Sequence, residues 1–199
     1  MLIVGAGNLG IHILDQLLQD AYTKDIYFFD DNSTQLKIYD NYPILKSEIE
    51  IKKLFKEQAC FIVAVGHPRL RSKLTKRFEQ LGGQVCSLIH PSAFISKFSS
   101  LKNEIVVQPH AVISHDVTIG RSCILHTGSV IGHGVRLGDY VSIAPNVTIV
   151  GPTQIGDYVS IGSNSVILPH IKIGNKVFIE AGSVVKEDIS DNNTFFNKK

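Results

Sequence analysis

The chain has no tryptophan, a single methionine and only three cysteines among its 199 residues. Cys60, Cys86 and Cys123 stand singly within apolar runs, so they read as small buried hydrophobes and give neither a disulfide framework nor a metal knuckle. Charge is also sparse, at 19% Asp, Glu, Lys and Arg with a net +2, and no basic stripe runs along the chain. That balance excludes a nucleic-acid-binding surface of the usual kind. The one cationic cluster, Arg69, Arg71, Lys73, Lys76 and Arg77, has helical spacing and predicts a solvated helix face. No apolar run approaches 18 residues, and the chain enters a strand-like Leu2-Ile3-Val4 with no basic leader. These absences lead us to expect a soluble cytoplasmic protein with neither nucleic acid nor membrane as partner.

What the chain has in abundance is a period of six. Every sixth residue from Ile89 through Ile95, Leu101 and Val107 to Ile179 and Val185 is aliphatic, 17 in succession without an insertion. Four residues after these aliphatics comes a small or β-branched side chain, as at Ala111, Val117, Cys123, Ser129, Val135 and Val141. Glycine often follows directly, as at Gly120, Gly132, Gly138, Gly156, Gly162 and Gly174. A six-residue period matches neither the helical 3.6 nor a simple strand meander. It matches short strands joined by tight turns. With three hexads per turn, residues 18 apart stack one ladder spacing from each other, about 4.8 Å. The segment 89–190 is therefore predicted to be a parallel β-helix, followed by a tail over 191–199.

Residues 1–88 have another texture. Strand-like 2–4 leads into Gly5-Ala6-Gly7-Asn8-Leu9-Gly10 and a helical stretch 11–19. Strand 26–29 ends at Asp30-Asp31, helix 46–55 precedes strand 60–65 ending at Gly66, and helix 69–81 leads to a last strand 84–88. Such alternation predicts a small α/β domain with a parallel sheet of Rossmann type. Glycines after the first strand let backbone amides at a helix N-terminus approach a phosphate. An acid ending the second strand suits a ribose or base. From the residues alone, a plain strand-to-helix turn explains these glycines equally well.

The repeat resembles that of the hexapeptide-repeat acyltransferases, whose coils wind left-handed and whose subunits pack as trimers. The two halves together resemble the sugar O- and N-acetyltransferases of the sialic-acid and bacillosamine type. That resemblance implies acetyl-CoA as co-substrate without a metal, a nucleotide-linked amino sugar held by the first domain, and a homotrimer. It places nucleotide contacts at Gly5, Gly7, Gly10, Asp30, Asp31 and Gly66. The stretch 125–133 looks like the family's catalytic segment and puts the general base at His133, since a neutral imidazole can take a proton from an attacking amine. Gly151, 18 residues on, matches the family's backbone-amide position for the oxyanion.

The chain departs from the family at several positions. Gly134 follows His133 where relatives carry Asp or Glu, Ser142 replaces a histidine near the acetyl group, and Leu9 replaces a histidine in the glycine-rich turn. The family's C-terminal Gly-x-Pro-Ala segment is missing from 191–199. One coil below His133 lie His115 and Asp116, and either could compensate, Asp116 as the acid or His115 as the base. Alternatives therefore stay open: N-acetylation of a nucleotide-linked amino sugar, O-acetylation of a sialic-type sugar, or a nucleotide-sugar-binding protein impaired in catalysis. A zinc site of the β-helical carbonic anhydrase type would need a third histidine at position 74, which is Leu74.

Overall fold

The computed structural model describes residues 1–20 and 22–196. It divides into two compact units, Met1–Cys86 and Ser87–Lys199. The last three positions of the expected tail, 197–199, lie outside the described residues.

The first unit comprises β1 (Leu2–Val4), α1 (Asn8–Gln19), β2 (Tyr27–Phe29), β3 (Lys37–Ile38), β4 (Tyr42–Leu45), α2 (Glu48–Glu57), β5 (Cys60–Val63), α3 (Pro68–Gln80) and β6 (Gln84–Val85). Its sheet runs in the order β3-β4-β2-β1-β5-β6, parallel except for β3, which forms an antiparallel hairpin on β4. Central β1 is buried throughout, and its Leu2 and Val4 pack with Ile51, Leu54 and Phe55 of α2 and Phe78 of α3. α1 buries Gly10, Ile13, Leu14 and Leu17, an i, i+3, i+4, i+7 stripe. Ser47 and Glu50 form a capping box at α2, and α3 opens with Pro68 at its first position behind His67. The chain lays strands to one side of β1 and then, from β5, to the other, so a switch point falls between β1 and β5.

Two expectations for this unit are corrected. Cys60 and Cys86 form a disulfide with their Cα atoms 5.7 Å apart, because β5 and β6 are paired neighbours. Only Cys123 is a free buried thiol. Arg71 does not join the solvated face of α3. It is 2% exposed and its guanidinium donates to the carbonyls of Val65 at 2.7 Å and Gly66 at 2.8 Å.

The second unit is a parallel β-helix of two-residue strands in three sheets. Partners are 18 residues apart, as in Val106↔Ile124, Ile124↔Ser142 and Ser142↔Ser160. The second residue of each strand points inward, and from Val107 to Val185 these aliphatics are buried in a single core with Ala111, Val117, Cys123, Val135, Val141 and Val147. Corners are turned by residues in the left-handed region, among them Asp116, Gly134, Tyr140, Asn146, Tyr158 and His170. The ladder continues into the C-terminal segment, where Phe178↔Thr194 pair in a shortened last coil and Phe195 packs against the end of the core.

One corner carries a ladder of polar side chains beside the hexad core. The Arg121 amide donates to Asp139 Oδ1 at 2.9 Å. The amides of Asp139, Asp157 and Asn175 donate likewise, each at 2.8 Å, to Asp157, Asn175 and Asp191. Each acceptor passes over a glycine: a Cβ at Gly138 would lie 2.3 Å from Asp157 Oδ1. The recurring Gly-Asp and Gly-Asn pairs thus form a side-chain ladder that ties successive coils.

The core also holds a defect. Ser129 is fully buried, and its hydroxyl has no hydrogen-bond partner among the described residues. Burying a lone hydroxyl costs free energy that an apolar side chain would not. Ser129→Ala is expected to raise stability by about 1 kcal/mol, a shift in thermal melting of a few degrees. A lower melting temperature would show that the hydroxyl is satisfied in solution.

Candidate active site

Two groups of predicted residues come together, each within its own unit. In the first unit, Gly5 leaves β1 with φ +111°, and a Cβ there would lie 2.8 Å from the Ala64 carbonyl, so the loops after β1 and β5 meet at the switch point. A Cβ on Gly10 would come 2.2 Å from the Gly5 carbonyl, which requires glycine where α1 crosses β1. Gly7 is the N-cap of α1, no side chain caps it, and no acid lies in the first turn. The positive end of the helix therefore stays available to an anion. Gly66, at the end of the β5 loop, has open space where a side chain would stand.

Asp30 and Asp31 take different parts. The Asp30 carboxylate accepts the Ala6 amide at 2.9 Å, pinning the glycine loop, and the amides of Asn32 at 2.9 Å and Ser33 at 3.2 Å. Burial alone would raise its pKa, but these amides and the nearby Lys46 ammonium outweigh burial and hold it below the usual carboxylate range. The resulting stabilisation is complete above the unfolded-state value of about 4 and is lost as pH falls through the lower folded value. Asp30→Asn is therefore expected to lower the melting temperature at neutral pH and to flatten its decline below about pH 4. Melts of both proteins across acid pH check this, and parallel curves would refute it. Asp31 is engaged by Arg77 at 2.8 Å, and Arg77 also reaches Glu48 and lies over the Phe29 ring at 5.1 Å.

In the second unit, one β-helix corner stacks His115, His133 and Gly151 in one column and Asp116, Gly134 and Pro152 in the next. The rings of His115 and His133 are stacked, with centroids 5.5 Å apart and planes at 17°. Asp116 Oδ2 lies 2.8 Å from His115 Nδ1, so the acid contacts the ring beside it in sequence. Among the described residues the His133 ring has no hydrogen-bond partner. Gly134 has φ +67° and its amide donates to the His115 carbonyl at 3.1 Å, which ties the two coils. Gly151 is buried against the coil below, where a Cβ would lie 1.6 Å from the His133 carbonyl oxygen. Its amide donates to no described residue.

Ser142 is set apart from this corner. It sits in the strand Ser142–Ile143 of another β-helix sheet, on which it is 8% exposed. His126 binds Gln108 Oε1 through Nδ1 at 3.0 Å, one coil below. Beside Gly134 and Pro152, a concavity is lined by Arg136, Gln154, His170 and Lys172. A groove of about 560 Å³ continues from Arg136 and Lys172 along that face toward Asp188 and Asp191. Arg136 and Lys172 belong to no motif in the sequence. Their signal was the 18-residue spacing of Arg136, Gln154 and Lys172, which places all three on one outward face.

The sequence matches the PglD N-terminal domain over residues 1–78 and the bacterial transferase hexapeptide, a model of six repeats, over 116–151 and again over 152–187. A comparison with curated proteins yields no match. Among solved structures, PerB from Caulobacter crescentus in complex with CoA and GDP-perosamine is 26% identical, with a TM-score of 0.86 over 96% of this chain and 90% of that one. The acetyltransferase domain of PglB from Neisseria gonorrhoeae, in complex with acetyl coenzyme A, is 27% identical, with a TM-score of 0.89 over 97% and 93%. WeeI from Acinetobacter baumannii, 22% identical, has the same fold with a TM-score of 0.89 over 97% and 94%. The β-helix is thus the left-handed kind built from hexapeptide repeats. Among the described residues, no three His, Cys, Asp or Glu side chains cluster as a metal ion would require, and no helix is long and apolar enough to cross a membrane.

Proposed function

We propose that this chain, a PglD N-terminal domain joined to bacterial transferase hexapeptide repeats, transfers the acetyl group of acetyl-CoA to the amino group of a nucleotide-linked amino sugar. The observation that carries this reading is the placement in adjacent coils of an imidazole, His133, and an amide, Gly151, neither of which makes a hydrogen bond to another described residue. One group can accept a proton and the other can donate to an oxyanion. PerB, with CoA and GDP-perosamine bound, supports an amine on a nucleotide carrier over a sugar hydroxyl.

In this reaction the amine nitrogen attacks the thioester carbonyl, and His133 takes the proton that the nitrogen sheds. The N–C bond forms as the carbonyl oxygen becomes an oxyanion held by the Gly151 amide. Collapse breaks the C–S bond, and the proton passes from His133 to the departing thiolate. The cationic face of Arg136 and Lys172 suits the phosphates of the CoA moiety. The glycine turn at α1, with Gly5, Gly7, Gly10 and Gly66 around the switch point, suits the diphosphate of the nucleotide, and Asp30 keeps that turn in place.

A homotrimer belongs to the same proposal. The outward side of one β-helix sheet is an apolar ladder, Phe94, Val112, Val130, Thr148, Val166 and Val184, and Phe94 is 61% exposed. This sheet meets the Arg136 face at the His133 corner, so a second copy packed on the ladder would wall the site. We place the reaction in the cytoplasm, where acetyl-CoA and nucleotide sugars are formed.

The test is thiol release from acetyl-CoA with nucleotide-linked amino sugars, compared with their hydroxyl counterparts and with free sialic-type sugars. Turnover confined to the amino sugars is the expected result. Turnover with a hydroxyl acceptor alone, or acetyl-CoA binding without turnover, would overturn it.

A further inference from the structure

His133 has no acid after it in the chain, and the backbone shows what stands there instead. Position 134 is a left-handed corner with φ +67°, occupied by glycine, and the same corner one coil below is taken by Asp116 with φ +58°. We infer that Asp116 serves His133 through the His115 ring, as a carboxylate–imidazole unit stacked against the base, and that His115 and Asp116 are positioning residues. This inference rests on the acetyl-transfer reading.

Three observations carry it. The Asp116 carboxylate lies 2.8 Å from His115 Nδ1, which fixes the proton on Nδ1 and holds the ring in place. The neighbour is His133, stacked at 5.5 Å and 17°. The remaining charged side chains at this corner, Arg136, His170 and Lys172, are basic, so Asp116 is the one carboxylate among the described residues there that can offset an imidazolium.

The column order decides which ring is the base. In the tetrahedral intermediate the oxyanion and the attacking nitrogen share one carbon and lie about 2.5 Å apart. With a hydrogen bond of about 2.9 Å at each end, donor and base are at most about 8 Å apart. Between backbones, His133 stands one coil from Gly151, about 4.8 Å, whereas His115 stands two coils away, about 9.6 Å, so the His133 ring is the nearer of the two to the donor. His133 therefore takes the proton and later returns it to the thiolate. The Asp116 carboxylate, held at this corner by His115, offsets the cation between the two events.

The full-length protein tests this with Asp116→Asn, Asp116→Glu and His115→Phe. Asp116→Asn is expected to lower kcat about 5-fold with KM unchanged and to move the acidic limb of the rate profile to lower pH, because the protonated base loses its support. Asp116→Glu should restore both. His115→Phe, which keeps a ring in the stack, should match Asp116→Asn, and combining the two should add nothing further. A readout independent of turnover is the NMR spectrum of the ring nitrogens at one neutral pH, in which the His115 and His133 signals should both move in Asp116→Asn. An unchanged His133 signal overturns the inference whether or not any sugar is acetylated. So does a His115→Phe variant as impaired as one lacking His133, which would make His115 the base. A moved His133 signal in a protein that acetylates no sugar upholds the coupled pair and refutes the acetyl-transfer reading instead.

Discussion

His133→Ala is expected to reduce kcat for acetyl transfer by about 10²- to 10⁴-fold, the range associated with loss of a positioned general base. Binding should change little, because the ring makes no hydrogen bond among the described residues and the corner keeps its shape without it. KM for acetyl-CoA should therefore stay near its wild-type value, which places the loss in the chemical step. Stability should also hold, since His133 is exposed at a corner whose backbone is tied independently by the Gly134 amide. Single-turnover thiol release, with equilibrium binding of acetyl-CoA, measures both halves of this expectation. A variant with full turnover would remove His133 from the chemistry.

The second large effect is structural first and catalytic second. Gly151→Ala would set a Cβ 1.6 Å from the His133 carbonyl oxygen and 2.7 Å from its carbon. Those atoms are backbone in the adjacent coil, so no rotamer change relieves the clash. Coils must move apart, breaking ladder bonds such as Gly132 amide to Ile149 carbonyl at 2.8 Å. A loss of about 3 kcal/mol or more is expected. The displaced coil carries His133, so residual folded protein should be inactive as well. Gly66→Ala provides the contrast, because nothing lies within 4 Å of a Cβ there and its stability should stay within about 0.5 kcal/mol of wild type. Thermal melts of the two variants side by side decide the point, and similar melting temperatures would count against the close packing of Gly151 on His133.

Glycine at 134 and glycine at 151 answer different demands. Gly134 relieves a left-handed backbone that other corners meet with Asp116, Tyr140 or His170, so a side chain there is tolerable. At Gly151 the demand is space, and no other residue type meets it. Both look alike in the sequence. Only the coil below distinguishes them.

The β-helix was legible because its rule is local and repeated. An aliphatic at every sixth position has one consistent solution, and the register Val106↔Ile124↔Ser142 follows once three hexads close a coil. The Asp139–Asp157–Asn175–Asp191 ladder was hidden because each of its bonds joins a side chain to an amide in the neighbouring coil. Gly-Asp and Gly-Asn are ordinary turn pairs in sequence, and nothing in them states what the side chain will accept. The cationic face of Arg136 and Lys172 was hidden for the same reason, as scattered charges that only stacking aligns.

In the first unit the strand and helix order was readable from apolar runs and glycines, and the roles of individual polar residues were not. Asp30 and Asp31 are adjacent and identical in type, yet one is drawn back onto the Ala6 amide and the other out to Arg77, 46 residues later. Arg71 and Arg77 share a helix, yet one is buried beneath the loop that ends at Gly66 and the other bridges Asp31 and Glu48. The Cys60–Cys86 pairing needed the knowledge that β6 lies beside β5.

By itself the sequence determined the repeat, the coil length, the aliphatic interior and the alternation of the α/β unit, because burial of apolar side chains acts through periods a few residues long. The tertiary structure alone decided which polar groups meet: Asp116 with His115, His115 against His133, and Asp30 with the glycine loop. Hydrogen bonds and ring contacts depend on ångström-scale distances between segments, and those distances exist only after the coils and strands have packed.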